Sequence, residues 1–144
     1  RPPLPARPSS AMLAVDTNVL IRFLVNDDAR QHKRAVALFR THRIWLSRTV
    51  LLESEWVLRS AFGFEAHEVA SAFTGLIGLP NVVCDEPAAT SQAITALAAG
   101  MDFADAVHLQ CAQNAACDEG FASFDTRFIK RASRQWPGSK LRTP

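Results

Sequence analysis

This chain lacks most of the features that announce a function by themselves. Its three cysteines, Cys84, Cys111 and Cys117, are odd in number and none has CxxC spacing, so reduced thiols in a cytoplasmic protein are the simplest reading. No apolar run reaches the roughly 20 residues of a membrane-spanning helix. The stretch 1–11 has three prolines among its first five residues and no apolar core, which excludes a secretory signal peptide. Met12 directly precedes the first strand-like pattern, so 1–11 are read as a leader or disordered extension and 12–144 as one domain. There is no P-loop, no GxGxxG and no GxSxG elbow. No internal repeat or low-complexity tract interrupts 12–144. No second histidine stands at zinc-ligand spacing from His108, which is read as a packed or surface residue.

Acidic residues are missing altogether after Asp125, where Arg127, Lys130, Arg131, Arg134, Lys140 and Arg142 follow. This segment is either a phosphate-binding surface or a solvated helix face. The net charge of +2 does not decide between them, because setting aside Arg1 and Arg7 brings it to zero.

What is present is a large apolar fraction, 48%, enough for a real core. Short strand-like runs at 12–15, 44–47, 82–84 and 121–123 alternate with helical periodicity at 19–24, 29–42, 49–62, 65–77, 87–99, 102–116 and 126–133. Leu141 is placed in a last edge strand. That alternation predicts an α/β fold with a parallel sheet covered on both faces. In such folds ligands sit beyond the carboxyl ends of the strands. Asp16 and Asp125 each follow a strand pattern directly, so both belong at that edge.

Five acids stand out against this background. Asp16 and Asp125 are either simple helix N-caps or site residues. Asp102 and Asp105, three apart at a helix start, have the spacing of a capping box. Asp105 shares a stripe with Leu109 and Ala112, where a carboxylate needs a partner, so it is taken as functional and Asp102 as its cap. Glu53 is placed in the middle of an apolar face made by Val50, Trp56 and Val57, where it requires either a metal ion or a buried arginine. Glu55 is read as a surface acid paired with Arg59, and Trp45 and Trp56 as core. Converging carboxylates need a hard cation between them, and Mg²⁺ or Mn²⁺ takes oxygen ligands in that way. Asn18 stands where a haloacid-dehalogenase-type phosphatase needs its second aspartate, which counts against that chemistry.

The order and flanks of these acids resemble a known family. Val15-Asp16-Thr17-Asn18-Val19-Leu20, Leu52-Glu53 before Trp56-Val57-Leu58-Arg59, Asp102-Phe103-Ala104-Asp105-Ala106-Val107-His108-Leu109, and Phe124-Asp125-Thr126-Arg127-Phe128 are similar to the motifs of PIN-domain proteins. They resemble most closely the VapC-type toxins of bacterial toxin–antitoxin pairs. The resemblance implies a single α/β/α sandwich on a central parallel sheet. It implies Mg²⁺- or Mn²⁺-dependent endoribonuclease activity, a homodimer, a cytoplasmic location and a small antitoxin that blocks the site. It maps an acidic quartet onto Asp16, Glu53, Asp105 and Asp125, with Thr17 and Asn18 supporting the first. A catalytically silent binding module and a DNA-directed nuclease are the alternatives. Arg48 or the arginines after Asp125 are candidates for contacts to the RNA backbone.

Overall fold

A computed structural model describes residues 11–144 of the chain. The leader read at 1–11 therefore lies, apart from Ala11, outside the described residues. Two compact units divide the fold, the first ending at Asp85 and the second running from Glu86 to Pro144.

The first unit is built on a parallel sheet. Strand β1 (Met12–Ala14) pairs with β2 (Arg43–Leu46), and β2 pairs with β3 (Val82–Cys84), so β2 is central. The register sets Leu13 opposite Ile44 and Ile44 opposite Val82. Parallel neighbours cannot be joined by a hairpin and need a crossover. Here each crossover is a pair of helices: α1 (Thr17–Leu24) and α2 (Ala29–Thr41) between β1 and β2, then α3 (Arg48–Phe62) and α4 (Ala66–Ile77) between β2 and β3. Ile44 and Leu46 of the central strand are fully buried, as are Leu20, Leu58, Val69 and Phe73 from the helices. Phe23 and Phe39 stack with centroids 3.8 Å apart, tying α1 to α2. The Asn81 side chain donates to the carbonyls of Phe39 and His42, pinning the approach to β3 against the end of α2.

Local chemistry explains where these helices begin and end. Asp28 and Ser47 cap α2 and α3 by accepting from Gln31 N at 3.0 Å and Val50 N at 3.1 Å. A capping box opens α4, with Glu65 N donating to Glu68 Oε1 at 2.9 Å. Gly63 ends α3 in the left-handed region, φ 69°, as helix C-termini favour.

The second unit is helical with a small strand pair. Helices α5 (Pro87–Ala98) and α6 (Phe103–Asn114) pack on Ala93, Ile94, Leu97, Phe103, Ala106 and Leu109, all buried. Pro87 occupies the first turn of α5, where its missing N–H costs nothing. Strand β4 (Phe121–Ala122) runs parallel to β5 (Leu141–Arg142), with α7 (Thr126–Gln135) as the crossover. Gly120, at φ +95°, lets the chain enter β4 against Lys140.

The expected α/β class with a parallel sheet is what the fold contains, and every helix and strand window read from the sequence carries the corresponding element. One helix face is corrected. The buried residues of α3 are Leu51, Ser54, Glu55 and Leu58, whereas Trp56 is 68% exposed and Glu53 is exposed. The spacing of the buried four, i, i+3, i+4 and i+7, is itself a helical stripe. Two leucines seven apart outweigh the neighbouring Val50–Trp56–Val57 stripe, and the polar Ser54 and Glu55 are carried inward with them. Glu55 is thus buried rather than a surface acid, although its pairing with Arg59, at 3.3 Å, is as expected. Trp45 is half-buried, so only part of its ring area belongs to the core.

Candidate active site

In the first unit, Asp16 stands between β1 and α1 and caps the helix. Its Oδ1 accepts from Val19 N at 2.9 Å. The cap orients the carboxylate and engages one of its two oxygens, and the side chain stays exposed. Thr17 and Asn18 form the first turn of α1. Glu53 projects from α3 as an exposed carboxylate with no ion-pair partner among the described residues. The buried-arginine alternative for Glu53 therefore does not hold. Arg48, at the start of α3, is held by Asp85 through Nε–Oδ2 at 3.1 Å.

The second unit brings three acids to one cleft. Asp102 caps α6, with its Oδ1 accepting from Asp105 N at 3.1 Å. Asp125 caps α7, with its Oδ1 accepting from Phe128 N at 3.0 Å, while Ser123 Oγ accepts from the Asp125 N–H at 3.0 Å. Asp105 sits in the first turn of α6, half-buried, on the stripe that includes buried Leu109. Its carboxyl is pushed above the ordinary aspartate value, chiefly by burial, then by the charges of Asp102 and Asp125, with His108 pulling the other way. Two neighbouring carboxylates that oppose ionisation of a third place all three in one field. Asp102, Asp105 and Asp125 line a cavity of about 210 Å³ together with Met101, Arg127 and Phe128. Arg131 reaches the same cavity and donates from Nη1 to the Gly100 carbonyl.

The capping and site readings of these acids turn out not to be rivals. Each cap uses one carboxylate oxygen for the helix and presents the side chain at the helix N-terminus. Asp105, the one acid of the cleft that caps nothing, is the one whose charge is penalised. The donor set is all oxygen, the kind that Mg²⁺ and Mn²⁺ prefer. No group of three or more His, Cys, Asp or Glu side chains is drawn tightly enough to enclose an ion among the described residues.

Arg127 and Arg131, among the arginines after Asp125 that the sequence offers for backbone contacts, border this cavity. Their position beside the acids depends on the 3.6-residue turn of α7, which buries Phe128 and Ala132 and turns the cations outward. Met101 and Gly100 carried no signal, since their role comes from the loop joining α5 to α6. His108 is exposed and is felt by Asp105 only through its charge.

No helix among the described residues is long and apolar enough to cross a membrane. Neither a curated protein nor a solved structure matches the chain. A protein-family model, that of the PIN domain, matches residues 13–134. That stretch carries all four acids of the expected quartet, in order, and the chain belongs to the PIN-domain family, a nuclease fold.

Proposed function

We propose that this PIN domain is a divalent-metal-dependent endoribonuclease, a toxin of the VapC type restrained by a small cognate antitoxin. The single observation that carries the reading is the cleft in which Asp105 is held above its usual value by burial and by Asp102 and Asp125. Asp105 and Asp125 would hold Mg²⁺ or Mn²⁺ there, and Asp16 and Glu53 join them on the strength of the family resemblance. A bound ion supplies Lewis acidity and neutralises charge that develops on the phosphate.

The chain's own groups account for the remaining work. Arg127 and Arg131 border the cleft, where guanidinium groups can hold phosphate oxygens in a fixed geometry. The Asp105 carboxyl, raised by burial and by Asp102 and Asp125, is a group whose ionised form a bound cation would favour. Water adds to phosphorus, the bond to the 3′ oxygen breaks, and the products carry a 5′-phosphate and a 3′-hydroxyl. Thr17 and Asn18 position Asp16, and Asp102 holds the first turn of α6 that presents Asp105. An antitoxin inhibits by offering a basic side chain to the same acids. A cytoplasmic homodimer is the expected form.

The test is cleavage of RNA by the purified chain with Mg²⁺ or Mn²⁺, and silence in EDTA. Asp105→Asn should lower the rate by at least the 10–100-fold typical of losing a group that supports a metal site. Cleavage undiminished in EDTA would overturn the metal mechanism. Cutting of DNA in preference to RNA would assign the domain to the other polymer, and binding without cutting to a silent module. Co-expression with the small reading frame next to its gene is expected to give an inactive complex.

A further inference from the structure

Helix α2 has a feature that no acid of the candidate site explains. It carries Arg30, Lys33, Arg34 and Arg40 and no acid. All four are exposed, together with Ala37, on the face opposite buried Ala35 and Phe39. Arg30 and Arg34 stand at i,i+4, and Arg30 and Lys33 at i,i+3, spacings at which like charges destabilise a helix. Arg30 and Lys33 also lie near the N-terminus of α2, the end whose dipole repels cations. Nearby acids do not compensate. Asp27 is engaged by Arg22, with Nη1 at 2.8 and 2.9 Å from its two oxygens, and Asp28 accepts from Gln31 N at 3.0 Å. None of the four cations has an acidic partner among the described residues. The row from Arg30 to Arg40 spans about 15 Å at the helical rise.

This row borders a recess between α1 and α2. The recess has a volume of about 460 Å³, and its walls include Asn18, Val19, Arg22, Gln31, Arg34 and Leu38. Val19 and Leu38 supply apolar surface. Asn18, Gln31 and the two guanidinium groups supply donors and acceptors at the rim. Arg22 is fixed there by Asp27 and by Gln31 Oε1, which accepts from its Nε at 2.6 Å. Arg34 belongs to both the recess and the basic row. Asn18, two residues after the N-cap Asp16, is the recess residue nearest to it in the chain.

We propose that α2 and this recess form a binding surface for single-stranded RNA, with Arg30, Lys33, Arg34 and Arg40 against successive phosphates and one unstacked base in the recess. Apolar walls accept the faces of a base, and amide and guanidinium groups read its edge, which is how unpaired bases are recognised. A row of long, solvated cations suits a repeating phosphate backbone. The inference rests on the ribonuclease reading, because it assigns the substrate of that site a second place to bind.

The test uses the full chain carrying Asp105→Asn, with Mg²⁺ present, and a labelled single-stranded RNA on the order of ten nucleotides long. Fluorescence anisotropy across a salt series compares it with the same protein also carrying Arg30→Gln, Lys33→Gln and Arg34→Gln. The triple substitution should weaken binding at least tenfold and flatten the log–log salt slope by about 2, since each phosphate neutralised on a single strand adds about 0.7 to that slope. A thermal melt confirms that the variant is folded, and Lys33→Gln alone, at one exposed position, should show a smaller change in the same direction. Unchanged affinity and slope would overturn the proposal. Tighter binding of poly-glutamate than of RNA by the parent would also overturn it and assign the row to an acidic protein segment. The two readings fail separately. A parent chain that cuts no RNA defeats the ribonuclease reading, whereas normal cutting with a silent α2 variant defeats only this one.

Discussion

At the scale of single residues, Asp105 concentrates the electrostatic problem of the fold. Its carboxyl is raised by burial first and by Asp102 and Asp125 next. A raised acid binds its proton more tightly in the folded state than in the unfolded chain. Its contribution to stability is therefore fully present below the unfolded aspartate value and is lost as pH rises through the folded one. Without metal, the protein should lose stability as pH climbs out of the carboxylate range. Asp105→Asn, near-isosteric and uncharged, should flatten that dependence and melt above the parent at neutral pH in EDTA. Melts at several pH values check this, and a variant that melts below the parent throughout would show that the carboxylate is paired rather than strained. The same field that costs stability is what a cation would relieve.

At the scale of elements, α3 and the β4–β5 pair make separate demands. The Ser54 hydroxyl is fully buried with no hydrogen-bond partner among the described residues. A buried polar atom left unsatisfied costs stability, and alanine is also the better helix former. Ser54→Ala should raise stability by about 1 kcal/mol, read as a higher urea midpoint at constant slope. A drop of that size would mean that the hydroxyl is satisfied by a group such as water. The strand pair depends on Gly120. A Cβ there would overlap the Lys140 carbonyl oxygen and come within 2.7 Å of its Cβ, at φ +95°. At Gly63, φ +69°, a Cβ would meet nothing. Gly63→Ala should therefore cost only the conformational term, about 1–2 kcal/mol, and Gly120→Ala clearly more. Equal losses, measured by denaturant titration, would show that β4 and β5 can part without penalty.

At the scale of the whole molecule, the family match spans both compact units, 13–134. The acids of the expected quartet are divided between them, Asp16 and Glu53 in the first and Asp105 and Asp125 in the second. Binding that favours the folded state raises its stability by mass action. Mg²⁺ should raise the melting temperature of the parent, by about 2.7 kcal/mol of stabilisation at a hundred times its Kd. The rise should shrink in Asp105→Asn and Asp125→Asn. Glu53→Gln tests the weaker assignment, since an exposed carboxylate can be neutralised with little effect on metal-free stability. An unchanged Mg²⁺ response in all three would place the ion elsewhere.

What the sequence determined by itself was local. Short apolar runs located every strand and period-3.6 patterning every helix, because the burial of an element leaves its mark on the nearest few residues. Acid after strand, at Asp16 and Asp125, located the caps, and the ordered motifs named the family. Which of two adjacent stripes on α3 turns inward was not local. Val50–Trp56–Val57 and Leu51–Ser54–Glu55–Leu58 are both helical faces, and only packing against α1 and α4 selected the second, carrying Glu55 in and leaving Glu53 and Trp56 out. The elevation of Asp105 was legible in part: its stripe with Leu109 forecasts burial, the largest cause, and Asp102 is three positions away, but Asp125, twenty positions on, is brought near only by folding. Chain pattern decides which residues can face a neighbour, and only the neighbours, brought together by folding, decide which of them do.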